Sequence, residues 1–300
     1  MTPTSYRGRF APSPTGPLHF GSMVTAVGSY LDAKANNGTW LLRIEDIDPP
    51  REQAGAVDTI LRALEAFALQ WDGEVIYQSQ RSGAYDAALE KLNQRNLLYG
   101  CSCSRKTINK HAGSLGGSRY PGTCRGTTGN TDNSSLRVIT HIDPISFCDG
   151  IQGHRQHRLL SESGDFVVRR RDQYYAYHLA VVVDDAEQGI THIVRGSDLL
   201  ACTPPQIHLQ QILNLPTPSY YHLPVATNEY GQKLSKQNLA RPVALENAST
   251  ILYQAMRFLG LGPDPELSKE RPGECLTWAI EHWDISEVPR NMSLSAPELS

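Results

Sequence analysis

The segment that most constrains the fold is residues 11–22, APSPTGPLHFGS, which joins two regions of different patterning. Residues 7–11 have the pattern of a short strand, and residues 22–35 place apolar side chains at helical spacing. Gly21 lets the backbone approach a ligand closely, and the N–H groups at the start of the next helix favour phosphate oxygens. The segment therefore predicts a strand, a rigid loop and a helix with a phosphate-binding N-terminus.

The patterning of the remaining chain predicts a parallel sheet. Residues 40–44 indicate a second strand, and residues 57–71 have apolar side chains at helical spacing. Strands that alternate with helices build the βαβ units of a parallel α/β sheet, and similar patterning returns between residues 166 and 226. We expect an α/β fold with a Rossmann-type nucleotide-binding domain.

The domain boundaries are predicted from the points where this patterning stops. The stretch 98–135 is rich in Cys, Gly, Ser and Thr, which indicates an inserted module. Another helical pattern covers residues 246–259, near the end of the 300-residue chain. The predicted division is residues 1–97 and 176–240 for the two halves of the Rossmann domain, 98–175 for the insert and 241–300 for a small helical region.

Composition excludes two classes of protein. The net charge of −3 argues against indiscriminate coating of nucleic acid, which requires many Lys and Arg side chains to neutralise phosphates. No apolar run approaches the roughly 18 residues that span a bilayer, and the polar N-terminus has no signal-peptide core. We expect a cytoplasmic monomer that does not contact membranes.

A lysine-rich loop far down the chain supplies cations. Residues 233–237, KLSKQ, place two ammonium groups on either side of a hydroxyl. Such a loop can close over a triphosphate, where Lys233 and Lys236 would stabilise the charge that develops on phosphate oxygens, and His19 can donate to the same phosphates. A histidine before a helix is by itself more often structural, but the lysine loop favours the nucleotide site.

Three cysteines are grouped in the predicted insert. Cys101, Cys103 and Cys124 offer soft ligands that suit one structural Zn²⁺. A closed site needs a fourth ligand, and the sequence leaves His111 and Tyr120 as candidates, of which imidazole is the commoner zinc ligand. The alternative is a set of unmetallated thiols in a loop.

The two loops resemble the HIGH and KMSKS signatures of the class I aminoacyl-tRNA synthetases, and the match is closest to the glutamyl branch. Ser22 stands in place of the second histidine, and Gln237 in place of the final serine. The resemblance implies that ATP, with Mg²⁺, is a substrate and that His19, Lys233 and Lys236 are catalytic. The ATP site that it implies consists of His19, Gly21, Ser22 and Lys236.

The glutamyl branch also implies a site for L-glutamate. Arginine binds carboxylates through its bidentate fork, and a carboxylate can accept from the substrate ammonium. An arginine or glutamate at a strand end is more often part of a surface ion pair, but several matches in the right order favour a substrate site. The implied glutamate-binding residues are Arg9, Ala11, Ser13, Glu45, Tyr177 and Arg195.

The chain resembles the short synthetase-like proteins of this branch in particular. Their metal-ligand spacing implies Cys101, Cys103, Tyr120 and Cys124 as the zinc set. The 64 residues after Lys236 (300 − 236) are too few for the usual anticodon-reading domains. This profile is similar to the glutamyl-Q tRNA(Asp) synthetase family, which implies that the acceptor is the queuosine base of tRNA(Asp). Because no anticodon domain is expected to couple RNA binding to activation, we predict that activation of glutamate needs no tRNA.

The same resemblance implies an RNA-contact role for residues 98–175 and a stem-contact-like role for residues 241–300. Basic side chains are densest at residues 169–171 and at a second group, although such runs more often form a solvated face. The second group is Lys106, Lys110, Arg119 and Arg125. Two alternatives remain: a compact glutamyl-tRNA synthetase that charges tRNA(Glu), and a catalytically silent paralogue that binds ATP or RNA.

Overall fold

The computed structural model describes residues 5–104, 106–108, 119–126, 133–234 and 241–298. The strands, numbered along the chain, are β1 (Arg7–Phe10), β2 (Thr39–Ile44), β3 (Ile76–Tyr77), β4 (Leu98–Cys101), β5 (Ser135–Val138), β6 (Ile145–Asp149), β7 (Gly153–His157), β8 (Phe166–Arg169), β9 (His192–Gly196), β10 (Ser219–Leu223), β11 (Val225–Thr227) and β12 (Ser293–Ser295). The helices are α1 (Phe20–Ala35), α2 (Ala56–Ala66), α3 (Ser82–Gln94), α4 (Leu159–Glu162), α5 (Tyr177–Glu187), α6 (Thr203–Leu213), α7 (Ala248–Phe258) and α8 (Pro272–Glu281).

A parallel arrangement of strands forms the centre of the molecule, as the sequence predicts. Strands β1, β2 and β3 pair in parallel, and β10 pairs in parallel with both β9 and β6. The two groups meet at β1 and β9, where the amide of Thr191 donates to the carbonyl of Arg7 at 2.9 Å. The carboxyl ends of β1, β2 and β9 therefore lie at one edge, where open α/β sheets bind their ligands.

The segment predicted as an insert contributes to two different sheets. Strands β4, β5 and β8 form a separate antiparallel sheet. The β6–β7 hairpin, which also falls within residues 98–175, instead joins the central sheet, because β6 pairs with β10 through Asp149 and Tyr220. The division of the chain into a two-part Rossmann domain, an insert and a C-terminal region stays a prediction.

The C-terminal helices share a hydrophobic core with α1. Helix α1 is buried along most of its length, and Phe20 packs edge-to-face on Phe258 of α7 with 5.8 Å between ring centroids. Beyond α8, the indole N–H of Trp283 donates to Asp32 of α1 at 3.0 Å. Strand β12 pairs in parallel with β11. Residues 241–298 thus pack directly on α1 and the central strands.

Several elements differ from the sequence patterns in their bounds, and the largest difference is in α2. Helix α2 ends at Ala66, before the predicted end at residue 71, because Ala68 adopts a positive φ of 56° and the amide of Leu69 donates back to the carbonyl of Leu64 at 2.9 Å. At the end of the patterned region 166–226, Pro224 separates β10 from β11. In the described part of the chain, no helix has both the length and the apolar character to cross a membrane.

Candidate active site

A cleft of about 620 Å³ opens at the carboxyl ends of the central strands. It brings together residues that the sequence predicts for nucleotide and for glutamate, although they come from distant parts of the chain. These residues are Arg9, Ala11, Ser13, His19, Gly21, Ser22, Glu45, Tyr177, Arg195 and Lys233. Lys236, the remaining predicted site residue of the lysine loop, lies outside the described residues.

The start of α1 presents a histidine whose protonation is set by the backbone. His19 is the N-cap of α1, and its Nδ1 accepts from the amide of Ser22 at 3.3 Å. In the neutral imidazole the proton must therefore be on Nε2, which makes that atom a donor. The ring packs against Gly21, where an added Cβ would lie 3.2 Å from it. The helix start thus combines backbone amides with a histidine donor, which suits phosphate oxygens.

Lys233 extends into the cleft from the loop that follows β11. Its Nζ forms an ion pair with Oδ2 of Asp198 at 2.5 Å, and both side chains are partly exposed. Asp198 lies just after β9, so the pair joins two sides of the cleft mouth. A phosphate that enters the cleft would compete with Asp198 for this ammonium.

A buried ionic network fixes the position of the Arg9 side chain. Its Nε donates to Oδ1 of Asp185 at 3.1 Å, and the same oxygen accepts from Nη1 of Arg43 at 2.7 Å. Arg43 is fully buried and also reaches Glu45, with 3.3 Å between Nη2 and Oε1. Burial raises the pKa of Asp185, but the guanidinium groups of Arg9 and Arg43 outweigh it and hold that pKa below its usual range. The carboxylate therefore stays ionised and fixes Arg9 in the floor of the cleft.

Glu45 follows β2 and has an environment that favours a cationic ligand. Burial raises its pKa by more than the neighbouring Arg43 and Arg9 lower it. A substrate ammonium placed beside Glu45 would favour the ionised carboxylate.

Arg195 and Tyr177 form the opposite wall. Nη1 of Arg195 lies 3.5 Å from the Tyr177 hydroxyl, while Nη2 donates to Oγ1 of Thr203 at 2.9 Å and Nε donates to Nε2 of His222 at 3.0 Å. Burial raises the pKa of Tyr177 to about 12, so the hydroxyl is a neutral donor at physiological pH. Arg9 and Arg195 therefore place two guanidinium groups in one cleft with a carboxylate and a phenol.

The predicted metal ligands converge at the end of β4. The Sγ atoms of Cys101, Cys103 and Cys124 lie within 4.8 Å of one another, and the Tyr120 hydroxyl is 3.3 Å from Sγ of Cys101. Zn–S bonds of about 2.3 Å in a tetrahedral site place neighbouring sulfurs about 3.8 Å apart, so this donor set fits one zinc ion. His111, the other candidate ligand, lies outside the described residues.

A second cavity of about 890 Å³ adjoins the cleft and extends to this cysteine cluster, since Cys103 lines it. The two cavities share part of their lining, so a molecule in the second cavity can reach into the first. The shared residues are Ser13, Thr15, Glu45, Arg51 and Tyr177.

Comparison with known proteins identifies the family. The family described as tRNA synthetases class I (E and Q), catalytic domain, matches residues 5–259. A protein of Dechloromonas aromatica named glutamyl-Q tRNA(Asp) synthetase is 51% identical over 97% of this chain and 98% of its own length. One of the same name from Neisseria meningitidis serogroup B is 50% identical over 97% of this chain and 100% of its own length. The chain belongs to the glutamyl-Q tRNA(Asp) synthetase family.

Two solved structures share the class I fold of this family. A glutamate-tRNA synthetase from Elizabethkingia anophelis superposes with a TM-score of 0.78 at 24% identity, over 97% of this chain and 68% of that chain. A glutamate tRNA ligase from Elizabethkingia meningosepticum, solved in complex with its amino acid, gives a TM-score of 0.79 at 24% identity, over 98% and 67% of the two chains.

The residues that support Arg9 and Arg195 from the protein interior have no local sequence signal for that role. Arg43 and Asp185 lie inside apolar runs, WLLRI and AVVVDDA, where a charged residue must find a partner. That partner is far away in the chain, so the pairing is not visible in local patterning. The same holds for His222 and Asp198, whose contacts with Arg195 and Lys233 depend on the fold.

Most of the basic side chains that the sequence groups together form ion pairs or hydrogen bonds within the protein. Arg170 pairs with Asp48 at 2.9 Å and with Asp172 at 2.6 Å, and Arg125 lies 3.6 Å from Asp165. Much of their charge is therefore neutralised. Of the other members, Arg119 and Arg171 donate to backbone carbonyls, Arg169 lies near Asp86, Lys106 is exposed, and Lys110 lies outside the described residues.

Proposed function

We propose that this protein activates L-glutamate with ATP and transfers the glutamyl group to the queuosine base of tRNA(Asp). The observation that carries the proposal is one cleft that is lined by the histidine turn (residues 19–22), by Lys233 and by the two buried arginines Arg9 and Arg195. Relatives that are 51% and 50% identical to this chain, over nearly their whole length, are named after this activity.

Activation joins an oxygen of the glutamate α-carboxylate to the α-phosphorus of ATP and breaks the bond to pyrophosphate. Negative charge grows on the phosphate oxygens, so preorganised donors and cations lower the barrier. His19 and the first amides of α1 are suited to the nucleotide phosphates, and Lys233 to the leaving pyrophosphate. The resemblance to the KMSKS loop implies the same role for Lys236. Mg²⁺ would enter bound to ATP.

The glutamate is held by the walls of the same cleft. Arg9 and Arg195 are suited to its two carboxylates, and Glu45 to its ammonium. Tyr177 adds a neutral hydroxyl donor beside Arg195. Ala11 and Ser13, in the loop that follows β1, line the same cleft. This arrangement supplies one counter-charge for each charged group of a dicarboxylic amino acid.

Transfer joins a hydroxyl oxygen of the queuosine cyclopentene ring to the glutamyl carbonyl carbon and releases AMP and a proton. The second cavity is the route for this hydroxyl, because it shares Ser13, Glu45 and Tyr177 with the activation cleft. No protein nucleophile is needed, so positioning of the two substrates provides most of the catalysis.

We infer that Cys101, Cys103, Tyr120 and Cys124 hold one structural zinc ion at the far end of the second cavity. Its role would be to order the loops that contact RNA, because zinc binding stabilises small loop-rich modules. The predicted cytoplasmic location and monomeric state stay predictions.

The activation step is tested by glutamate-dependent exchange between ATP and pyrophosphate in the absence of tRNA. We expect exchange with L-glutamate and none with L-glutamine. Absence of exchange at millimolar glutamate would favour the silent paralogue.

The acceptor is tested by transfer of labelled glutamate to tRNA(Asp) with and without queuosine, with tRNA(Glu) as the second substrate. Label on queuosine-containing tRNA(Asp) alone supports the proposal. Label on tRNA(Glu) alone would identify a compact glutamyl-tRNA synthetase instead, and label on unmodified tRNA(Asp) would reject queuosine as the acceptor.

A further inference from the structure

Three buried side chains are linked by hydrogen bonds behind the part of the cleft that is proposed to hold glutamate. Asp149, at the end of β6, bonds to Nδ1 of His222 in β10 at 2.5 Å, and Nε2 of that histidine accepts from Nε of Arg195 in β9 at 3.0 Å. Asp149 and His222 are 1% and 0% exposed, so neither side chain is open to solvent as a ligand site.

The donor pattern of these hydrogen bonds defines one tautomer of the histidine. A guanidinium can only donate, so Nε2 of His222 must be an acceptor and the ring proton must be on Nδ1, directed at Asp149. Burial lowers the pKa of His222, which keeps the ring neutral at pH 7. Asp149 is fixed in turn, because its Oδ1 accepts from the amides of Ile151 and Gln152 at 3.1 and 2.8 Å.

We propose that Asp149 and His222 are positioning residues that orient the Arg195 guanidinium for the substrate carboxylate. The inference rests on the proposed function and deepens it. Nε of Arg195 is tied to His222 and Nη2 to Thr203, which leaves Nη1 beside Tyr177 in the cleft wall. Without this support a buried arginine has several rotamers, and its Nη1 would no longer face the carboxylate.

The substitution Asp149→Asn tests these hydrogen bonds with little change in shape. The amide oxygen can still accept from the backbone, but the amide nitrogen would face Nδ1 of His222 and donate to it. The ring proton would then move to Nε2 and oppose the N–H of Arg195. We expect KM for glutamate in the exchange reaction, and Kd for glutamate by calorimetry, to rise about ten-fold to a hundred-fold, with KM for ATP changed less than about two-fold.

Asp165→Asn is the matched control. Asp165 is also a buried carboxylate, 2% exposed, and accepts from Thr140 and Tyr99, but it lies beside the antiparallel sheet without contact to Arg195. We expect it to lower the melting temperature without a change in KM for glutamate. The proposal is wrong if Asp149→Asn leaves KM for glutamate unchanged, raises both KM values equally, or behaves like the control.

Two substitutions of the histidine make the test independent of whether Asp149→Asn folds. His222→Gln keeps an amide oxygen that can accept from Arg195, whereas His222→Leu removes every acceptor. We expect the leucine variant to bind glutamate more weakly than the glutamine variant, and equal binding would overturn the proposal. Calorimetric binding of glutamate does not need turnover, so failure of the exchange reaction in the unsubstituted protein would be distinguished from failure of the positioning role.

Discussion

At the scale of single residues, the exposed Lys233 differs from the two buried arginines of the cleft, Arg9 and Arg195. Lys233 forms a partly exposed pair with Asp198, whereas Arg9 and Arg195 are 4% and 3% exposed and held through Nε by buried partners. Exposed ion pairs contribute little to stability, so the lysine can exchange its partner for a phosphate with little loss. The arginines are fixed before substrate arrives.

Lys233→Ala should therefore impair catalysis without unfolding the protein. We expect kcat for ATP–pyrophosphate exchange to fall about 100-fold or more, the usual loss when one preorganised charge donor is removed. The free energy of unfolding should change by less than about 1 kcal/mol, because the lost ion pair is partly exposed. Lys269→Ala, which removes an exposed pair with Glu266 away from the cleft, is the control. A kcat close to that of the control would contradict a role for Lys233.

His178, in the wall of the second cavity, should make stability depend on pH. Burial lowers its pKa from 6.5 to about 4, and its Nδ1 is buried without a hydrogen-bond partner in the described structure. Between these pH values the unfolded chain binds a proton that the folded chain does not, so stability falls as pH decreases from 6.5 to 4. The loss is at most about 3 kcal/mol.

Urea titrations at pH 7 and pH 4.5 measure this contribution. The His178→Asn variant should lose less free energy of unfolding between these two pH values than the unsubstituted protein does. The control variant His154→Asn, at an exposed histidine, should lose the same amount as the unsubstituted protein. Equal losses in all three proteins would show that His178 titrates normally in the fold.

At the scale of elements, the cysteine cluster joins β4 to the loop that carries Tyr120 and Cys124. Cys124→Ser should remove one zinc ion per chain, measured by elemental analysis, and lower the melting temperature. Because the cluster is outside the activation cleft, exchange with pyrophosphate should persist while transfer to RNA falls. Cys148→Ser, at an exposed cysteine, should change none of these. Equal zinc content in both variants would exclude the cluster as the metal site.

Elements with local signals could be predicted from sequence, whereas their partners could not. The histidine turn and α1 follow from residues 11–35, because a strand, a rigid loop and an apolar helix are adjacent there. The place of the β6–β7 hairpin in the central sheet depends on pairing with β10, about 70 residues later, and no local pattern encodes it. The same limit hid the link from Asp149 to Arg195.

At the scale of the whole molecule, the C-terminal helices and α1 share one core, so the chain should unfold as a unit. Trp283→Ala should lower the free energy of unfolding by about 2–3 kcal/mol, since it removes a partly buried ring and the bond to Asp32. Trp283→Phe keeps most of the ring and should lose about 1 kcal/mol. Both should shift a single calorimetric transition. A separate early transition confined to the C-terminal helices would contradict this shared core.

The pairing of β11 with β12 has a consequence for biosynthesis. Val225 aligns with Ser293, so the strand that leads into the lysine loop obtains its neighbour only when the ribosome has translated almost seventy further codons. A nascent chain that already contains the histidine turn and both arginines would still lack the strand that pairs with β11. The strand that precedes the lysine loop therefore gains its partner only after residue 293 has been translated.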